Sequence, residues 1–405
     1  MQNAQFTTDF DSKIASRKPY NFGFILSTSL GNLTRYLNFR KYAERDPDVN
    51  FVWAPVKHYI APGEPDPFRW LPRPLYTRAV VFYQSYPVLR RMRHLDAVMI
   101  HMFEAHILAG LRKLLFSHPL IVSSNDNAPV TNRSTHPLYP RELNKPTWRQ
   151  KLRLAIDLWR ERQSDLFIPF SSWVGGVLVN DCGISRENVH AIHVGLDLDI
   201  WQPVSRVQPQ PGARAKVLFV GGEFVRKGGE LLLQVYREHF SDRVELHLVT
   251  KEPPLDLPPN VHLYTDIGPN DKRLTQLYAE ADMLVLPTTA ELSPWVLLEA
   301  MASSCPVIST DVGGIPDIVR SGETGLLIPK NDRQALTAAI QQLLDSPEQR
   351  YAMGQRGRAM IERDFNAAVN VPRILQIMKD AVDKQRVPTG NRGLLSTYGR
   401  RSEVG

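Results

Sequence analysis

The stretch VLFVGGEFVRKGGE, residues 217–230, runs four apolar residues into a glycine pair, then an Arg-Lys pair, then a second glycine pair. An apolar run ended by glycine reads as a buried strand leaving a sheet, and the GGELLLQVYREHF that closes it has helical spacing. The stretch is therefore a strand-to-helix turn. One glycine would serve such a turn, so the surplus says that something must come close to the backbone. Two cations at the start of a helix say that it is negatively charged. A diphosphate meets all three conditions; a permissive turn beside a solvated Arg-Lys pair is the alternative that this stretch alone leaves open. It is no Walker A loop, because Arg226 rather than glycine precedes Lys227 and Gly228 follows it. The dinucleotide fingerprint GxGxxG is absent too.

Outward from this turn, short apolar runs alternate with helical patterns: VELHLVT, VHLYT, DKRLTQLYAEA, DMLVLPT, PWVLLEAMAS, PVIST. That alternation predicts a parallel sheet with helices on both faces. After TGLLIP, two helical patterns at 331–345 and 347–363 close the unit. The first half repeats the theme, with strand candidates FGFILSTS, VNFVWAPV, LDAVMIHM, PLIVSSND, SDLFIPFS and NVHAIHVG. Between them lie helical segments such as NLTRYLNFRKYAERD and KPTWRQKLRLAIDLWRERQ. Residues 202–215, with three prolines, read as a linker. The expected fold class is α/β: two doubly wound Rossmann-like domains facing across a cleft. Ligands of such sheets sit at the carboxyl ends of the strands.

A chain of 405 residues exceeds what one core usually serves, which agrees with two domains. The net charge of +7 biases the protein toward anionic ligands or surfaces without amounting to a nucleic-acid signature, and no nucleic-acid partner is expected. Cys182 and Cys305 have no CxxC or Cys/His spacing, so neither a disulfide framework nor a zinc site is indicated. No apolar run approaches a bilayer span, and aspartates stand where a signal peptide would be basic and then apolar; a cytoplasmic protein is expected. Residues 77–94 mix aromatics with Arg78, Arg90, Arg91 and Arg93, which keeps a peripheral membrane contact open, and Pro87 is expected to interrupt any single helix there.

Residues 287–319, PTTAELSPWVLLEAMASSCPVISTDVGGIPDIV, supply a partner for the Arg-Lys pair. A strand ends at Pro287, a loop carries Glu291, and Ser293 and Pro294 read as N-cap and first residue of a helix that contains Glu299. Its free N–H groups face the cleft. Glu299 lies between Leu297, Leu298, Ala300 and Met301, where an unpaired carboxylate is costly, so a polar partner is required. Ribose hydroxyls are good candidates.

In order and spacing, the glycine-rich turn with Arg226 and Lys227, the E-x7-E of Glu291 and Glu299, PVISTDVGGIPDIV and GETGLLIP together resemble the nucleotide-sugar domain of the family-4 retaining glycosyltransferases. Upstream, residues 171–203 resemble the segment that ends the first domain of that family. The resemblance implies the GT-B fold: residues 1–204 as acceptor-binding domain, 205–365 as nucleotide-sugar domain, a helix at 366–384 crossing back, and a disordered tail at 385–405. It implies that Arg226 and Lys227 neutralise the donor diphosphate, that Glu291 faces the transferred sugar and that Glu299 binds ribose. Gly221, Gly222, Ser293, Pro294 and Trp295 then complete the donor site. Gly31, alone where the family often has a glycine-rich loop, is assigned to acceptor and phosphate. Asp126 stands where relatives commonly have a histidine and is carried as a catalytic candidate beside an Asx-turn reading; His101 is a second, more structural candidate.

The expected activity is metal-independent transfer of a hexose, with retained configuration, to an acceptor hydroxyl in glycan or glycoconjugate synthesis. The donor is a UDP-sugar or GDP-sugar, and no cofactor is required. The acceptor, whether glycan, lipid-linked sugar or small molecule, is left open. A nucleotide diphosphate departs without a protonating acid once its charge is stabilised. DLD at 197–199 imitates a metal-binding motif, but its expected role is turn and capping. An epimerase, a phosphorylase and a non-catalytic sugar-nucleotide-binding protein remain as alternatives.

Overall fold

A computed structural model describes residues 20–29, 32–61, 63–101, 119–125, 127–131, 147–203, 213–268 and 271–386. Two all-parallel sheets organise the chain. In the first, β1 (Tyr20–Ser27), β2 (Val49–Val56), β3 (Ala97–Ile100), β4 (Leu120–Ser123) and β5 (Leu166–Phe167) stand in the order β2-β1-β3-β4-β5. In the second, β6 (Ala215–Val220), β7 (Val244–Val249), β8 (Val261–Tyr264), β9 (Met283–Leu286), β10 (Val307–Thr310) and β11 (Gly325–Ile328) stand in the order β11-β10-β9-β6-β7-β8.

The middle of the second sheet, β6, β9 and β10, is covered on both faces. All four side chains of β9 are fully buried, each worth about 1.5–3 kcal/mol relative to exposure. The helices Gly229–His239, Lys272–Glu280, Trp295–Ala302, Arg333–Asp345 and Pro347–Asp364 supply that cover. Asp332 accepts from Ala335 N at 2.9 Å and so fixes where the helix Arg333–Asp345 begins.

In the first sheet one face is completed from the far end of the chain. Ala367, Val371, Ile374, Leu375, Met378 and Val382 of the helix Ala367–Arg386 share a core with Phe22, Phe24, Met99 and Val122. Lys379 anchors that helix through Asp46 at 2.8 Å, and Tyr20 donates to Asp383 at 2.7 Å.

Two expectations for the first half fail. NVHAIHVG is not a strand: a 3-10 turn at Arg186–Asn188 is followed by extended chain. His190 N donates to Phe167 O at 2.8 Å and Ile192 N to Pro169 O at 2.9 Å. The pairing with β5, itself only two residues long, is confined to one parallel bridge, Phe167 with Val189. Pro87 lies inside the helix Arg73–Leu89 instead of breaking it; in the last turn it removes little, and Arg90 N still donates to Tyr86 O. The two chain ends, residues 1–19 and 387–405, and residues 204–212 of the linker lie outside the described residues.

Sequence reading singles out nothing at Glu161, yet it ends the helix Trp148–Glu161 fully inside the first domain. Ser123 Oγ donates to its Oε1 at 2.7 Å, and its Oε2 has no hydrogen-bond partner. Burial pushes its carboxyl from 4.5 up to about 7. The fold therefore binds more protons than the unfolded chain between these two values, and stability falls as pH rises through that window. Glu161→Gln should remove this part of the fall, by at most about 3 kcal/mol. Thermal melts of both proteins at pH 5 and pH 8 check it: the variant gains on the wild type only at the higher pH.

Candidate active site

The chain visits β6, β7 and β8 on one side of the second sheet and then returns to β9 on the other side of β6. The loops after β6 and β9 therefore diverge, and the crevice at such a switch point is where ligands of open α/β sheets sit. After β6 the chain turns through Gly221–Gly228 with Lys227 N donating to Glu223 O at 3.0 Å and Gly229 N to Phe224 O at 2.9 Å. Gly228 closes the turn at φ +81° and caps the helix Gly229–His239. The Arg226 carbonyl staples the two loops together, accepting from Thr289 N at 3.0 Å, Thr289 Oγ1 at 3.1 Å and Thr288 Oγ1 at 3.2 Å.

This staple brings the two cations onto one carboxylate. Arg226 Nη1 donates to Ala290 O at 2.5 Å and to Glu291 Oε1 at 3.0 Å, while its Nε pairs with Glu223. Lys227 Nζ pairs with the same Glu291 Oε1. The Lys227 and Glu291 side chains are only 14% and 12% exposed, so their charges act with little screening. Sequence reading gave the cations to a diphosphate and Glu291 to a sugar. The structure joins the three in one ion cluster, with Glu223 held on the outer side of Arg226.

The helix that carries Glu299 starts one residue later than expected, spanning Trp295–Ala302 with Pro294 as N-cap at φ −75°, ψ 113°. Ser293 is therefore not the N-cap, and no side chain caps this end. Extended backbone at Pro294 places its ring before the first helical residue, and its carbonyl accepts from Leu297 N at 3.2 Å. The first-turn N–H groups thus stay free of side-chain caps. Trp295 packs across to His193, ring centroids 5.1 Å apart, and Ser172 Oγ donates to Asp317 Oδ1 at 2.6 Å, a second link between the halves of the chain.

Glu299 is buried, and the polar partner it requires is Tyr278, whose hydroxyl donates to Oε2 at 2.9 Å. Burial pushes its carboxyl up to about 7, opposed by that hydrogen bond and by the Lys227 ammonium. Lys227 thus acts on both glutamates. Tyr278 is the site residue that sequence reasoning missed; its only signal is a hydroxyl on the buried face of the helix Lys272–Glu280.

Gly221 is buried and Gly222 exposed on the same turn. Gly31 and Asp126 lie outside the described residues. His101, just past β3, is buried and stacks on Phe170 at 5.6 Å. In DLD, Asp197 accepts from Tyr42 Oη at 2.7 Å and Lys41 Nζ at 2.5 Å, and Asp199 from Lys41 at 2.8 Å. That motif ties the interdomain segment to the helix Asn32–Ala43. Among the described residues, one group of three possible metal ligands lies together, Glu245, His247 and His262 on β7 and β8, and it contains none of the predicted site residues.

The family model for "Glycosyl transferases group 1" matches residues 214–346. The chain is 26% identical to an MMP alpha-(1->4)-mannosyltransferase of Mycolicibacterium hassiacum over 81% of its own length and 85% of that protein's. It is 26% identical to the sulfoquinovosyl transferase SQD2 of Arabidopsis thaliana, over 84% and 68%. Among solved structures, a sucrose-phosphate synthase from Thermosynechococcus elongatus superposes with a TM-score of 0.72 at 20% identity, over 90% of this chain and 100% of that one. Anabaena HepE in complex with UDP-glucose superposes at 0.64 and 15% identity, over 89% and 99%. Two parallel-sheet domains thus give the chain the fold of these GT-B structures, and the segment that matches the group 1 glycosyl transferases spans the charged cluster at the switch point of the second.

Proposed function

We propose that the protein moves a sugar from a nucleotide diphosphate sugar to an acceptor hydroxyl with retained anomeric configuration and without a required metal. The observation that carries this reading is the convergence of Arg226 and Lys227 on Glu291 at the switch point. Here the diphosphate meets two fixed cations and the uncapped N–H groups at Ser293 and Trp295, with Pro294 setting the turn between them. Glu291 stands at the transferred sugar, and Glu299, oriented by Tyr278, takes the ribose hydroxyls. The second domain binds the donor and the first offers the acceptor, with Gly31 and Asp126 as its candidate contacts. As the nucleotide leaves, growing negative charge falls on groups already in place, so no acid is needed to protonate it. HepE in complex with UDP-glucose supports a nucleotide-sugar donor, and UDP- and GDP-sugars both stay in the reading. Among the described residues no helix is long and apolar enough to cross a membrane; a cytoplasmic location belongs to the proposal.

Thermal-shift measurements with UDP, GDP and ADP test it, since a ligand bound only by the fold raises the melting temperature by mass action. One nucleotide should stabilise the protein, and Glu299→Gln should weaken it about tenfold or more. No shift with any of the three removes the donor site as drawn. Product formed without acceptor would favour an epimerase, dependence on inorganic phosphate a phosphorylase, and binding without turnover a non-catalytic protein.

A further inference from the structure

The helix Trp148–Glu161 of the first domain is built to stay helical, yet it turns an apolar face to solvent. Thr147 closes a reciprocal capping box with Gln150, the Gln150 N–H donating to Thr147 Oγ1 at 3.3 Å while Gln150 Oε1 accepts from Thr147 N at 2.7 Å. Trp148, Leu152, Ile156 and Trp159 are 69%, 53%, 46% and 42% exposed. At 3.6 residues per turn these four fall within an arc of about 80°. Arg149 and Arg153 lie along one border of that arc and Lys151 along the other; all three are exposed. The opposite side faces the protein: Leu158 packs against the cluster of Phe167 and Val174, and Glu161 is buried.

A soluble helix buries such a stripe and leaves its charged side wet. Here the stripe itself is wet, with an aromatic side chain near each end. Contiguous apolar surface with a basic rim marks an interaction face. We propose that this face docks the first domain on an anionic lipid surface. Trp148, Leu152, Ile156 and Trp159 enter the boundary between headgroups and acyl chains, and Arg149, Lys151 and Arg153 rest on the lipid phosphates. The charges choose lipid over a protein partner: long basic side chains on both borders can reach up to a plane of phosphates while their stems lie along apolar surface. The net charge of +7 adds a long-range attraction of the same sign. The inference stands on this helix and does not depend on the reaction proposed above.

Sedimentation of the full-length protein with vesicles tests it. The wild type should bind phosphatidylcholine vesicles containing about one third phosphatidylglycerol, and bind pure phosphatidylcholine at least roughly tenfold more weakly. Replacing the stripe together (Trp148→Ser, Leu152→Ser, Ile156→Ser, Trp159→Ser) should weaken binding roughly tenfold or more with the melting temperature unchanged. Should that protein fail to fold, Arg149→Gln with Lys151→Gln and Arg153→Gln decides alone, since these exposed side chains leave the fold intact; the same tenfold loss is expected. Absence of binding to the anionic vesicles, or binding undiminished in the charge variant, overturns the proposal. So does a wild type that ignores vesicles but self-associates through the stripe.

Discussion

Lys227→Ala should lower the rate of sugar transfer by roughly a hundredfold or more in a protein that remains folded. The Lys227 ammonium is mostly buried and pairs with Glu291, and removing a single fixed charge-stabilising group from such a site usually costs about a hundred- to a thousandfold in rate. The loss is compounded. Without Lys227, Glu291 keeps only the Arg226 contact at 3.0 Å, so more of its negative charge is turned toward the departing nucleotide. Lys227→Arg keeps the charge but replaces a compact ammonium by a planar fork, and should recover only part of the rate. Glu291→Ala should also reduce transfer, by taking away the group that orients both cations. Steady-state kinetics of the purified variants measures this, with melting temperatures as the control for folding. Transfer undiminished in both alanine variants would leave the mechanism without a basis.

Gly228→Ala should destabilise the second domain by about 3 kcal/mol or more. A Cβ at Gly228 would lie 2.0 Å from Pro287 O, and the residue sits at φ +81°. Pro287 O cannot yield, because it follows directly on β9 and the loop beyond is stapled to the Arg226 carbonyl. Relief of the clash pushes the two loops apart and separates Lys227 from Glu291, so activity falls with stability. Gly222→Ala is the contrasting case. A Cβ there meets nothing within 4 Å, so stability should stay within about 0.5 kcal/mol. If the donor approaches the backbone at this turn, its KM still rises. Denaturant melts and donor kinetics on the pair separate a glycine kept for the fold from one kept for the ligand.

The second sheet was legible because its middle strands are buried on both faces and so appear as short apolar runs, the MLVL of β9 above all. Glycines and cations flagged the switch-point turn because their chemistry is excessive for a plain loop. What one-dimensional reading could not supply was pairing in space. Glu299 plainly required a partner, but Tyr278 lies 21 residues upstream on another helix. Arg226, Lys227 and Glu291 were each singled out, while their common ion cluster depends on a backbone staple that no spacing encodes. NVHAIHVG alternates like a strand, but its pairing with β5 is confined to one bridge. In KPTWRQKLRLAIDLWRERQ the helical period was clear, but periodicity does not say whether the apolar side is covered.

The placement of the helix Ala367–Arg386 also governs how the protein is made. Its apolar residues complete the core of a sheet whose strands were translated far earlier, so the opening domain cannot finish folding as it leaves the ribosome. At about 5–20 residues per second, the nascent first half waits roughly ten to forty seconds with one sheet face only partly covered, by the helix Asn32–Ala43. In that interval the second domain, Ala215–Asp364, can emerge and fold on its own contacts. The half synthesised first is thus the half completed last.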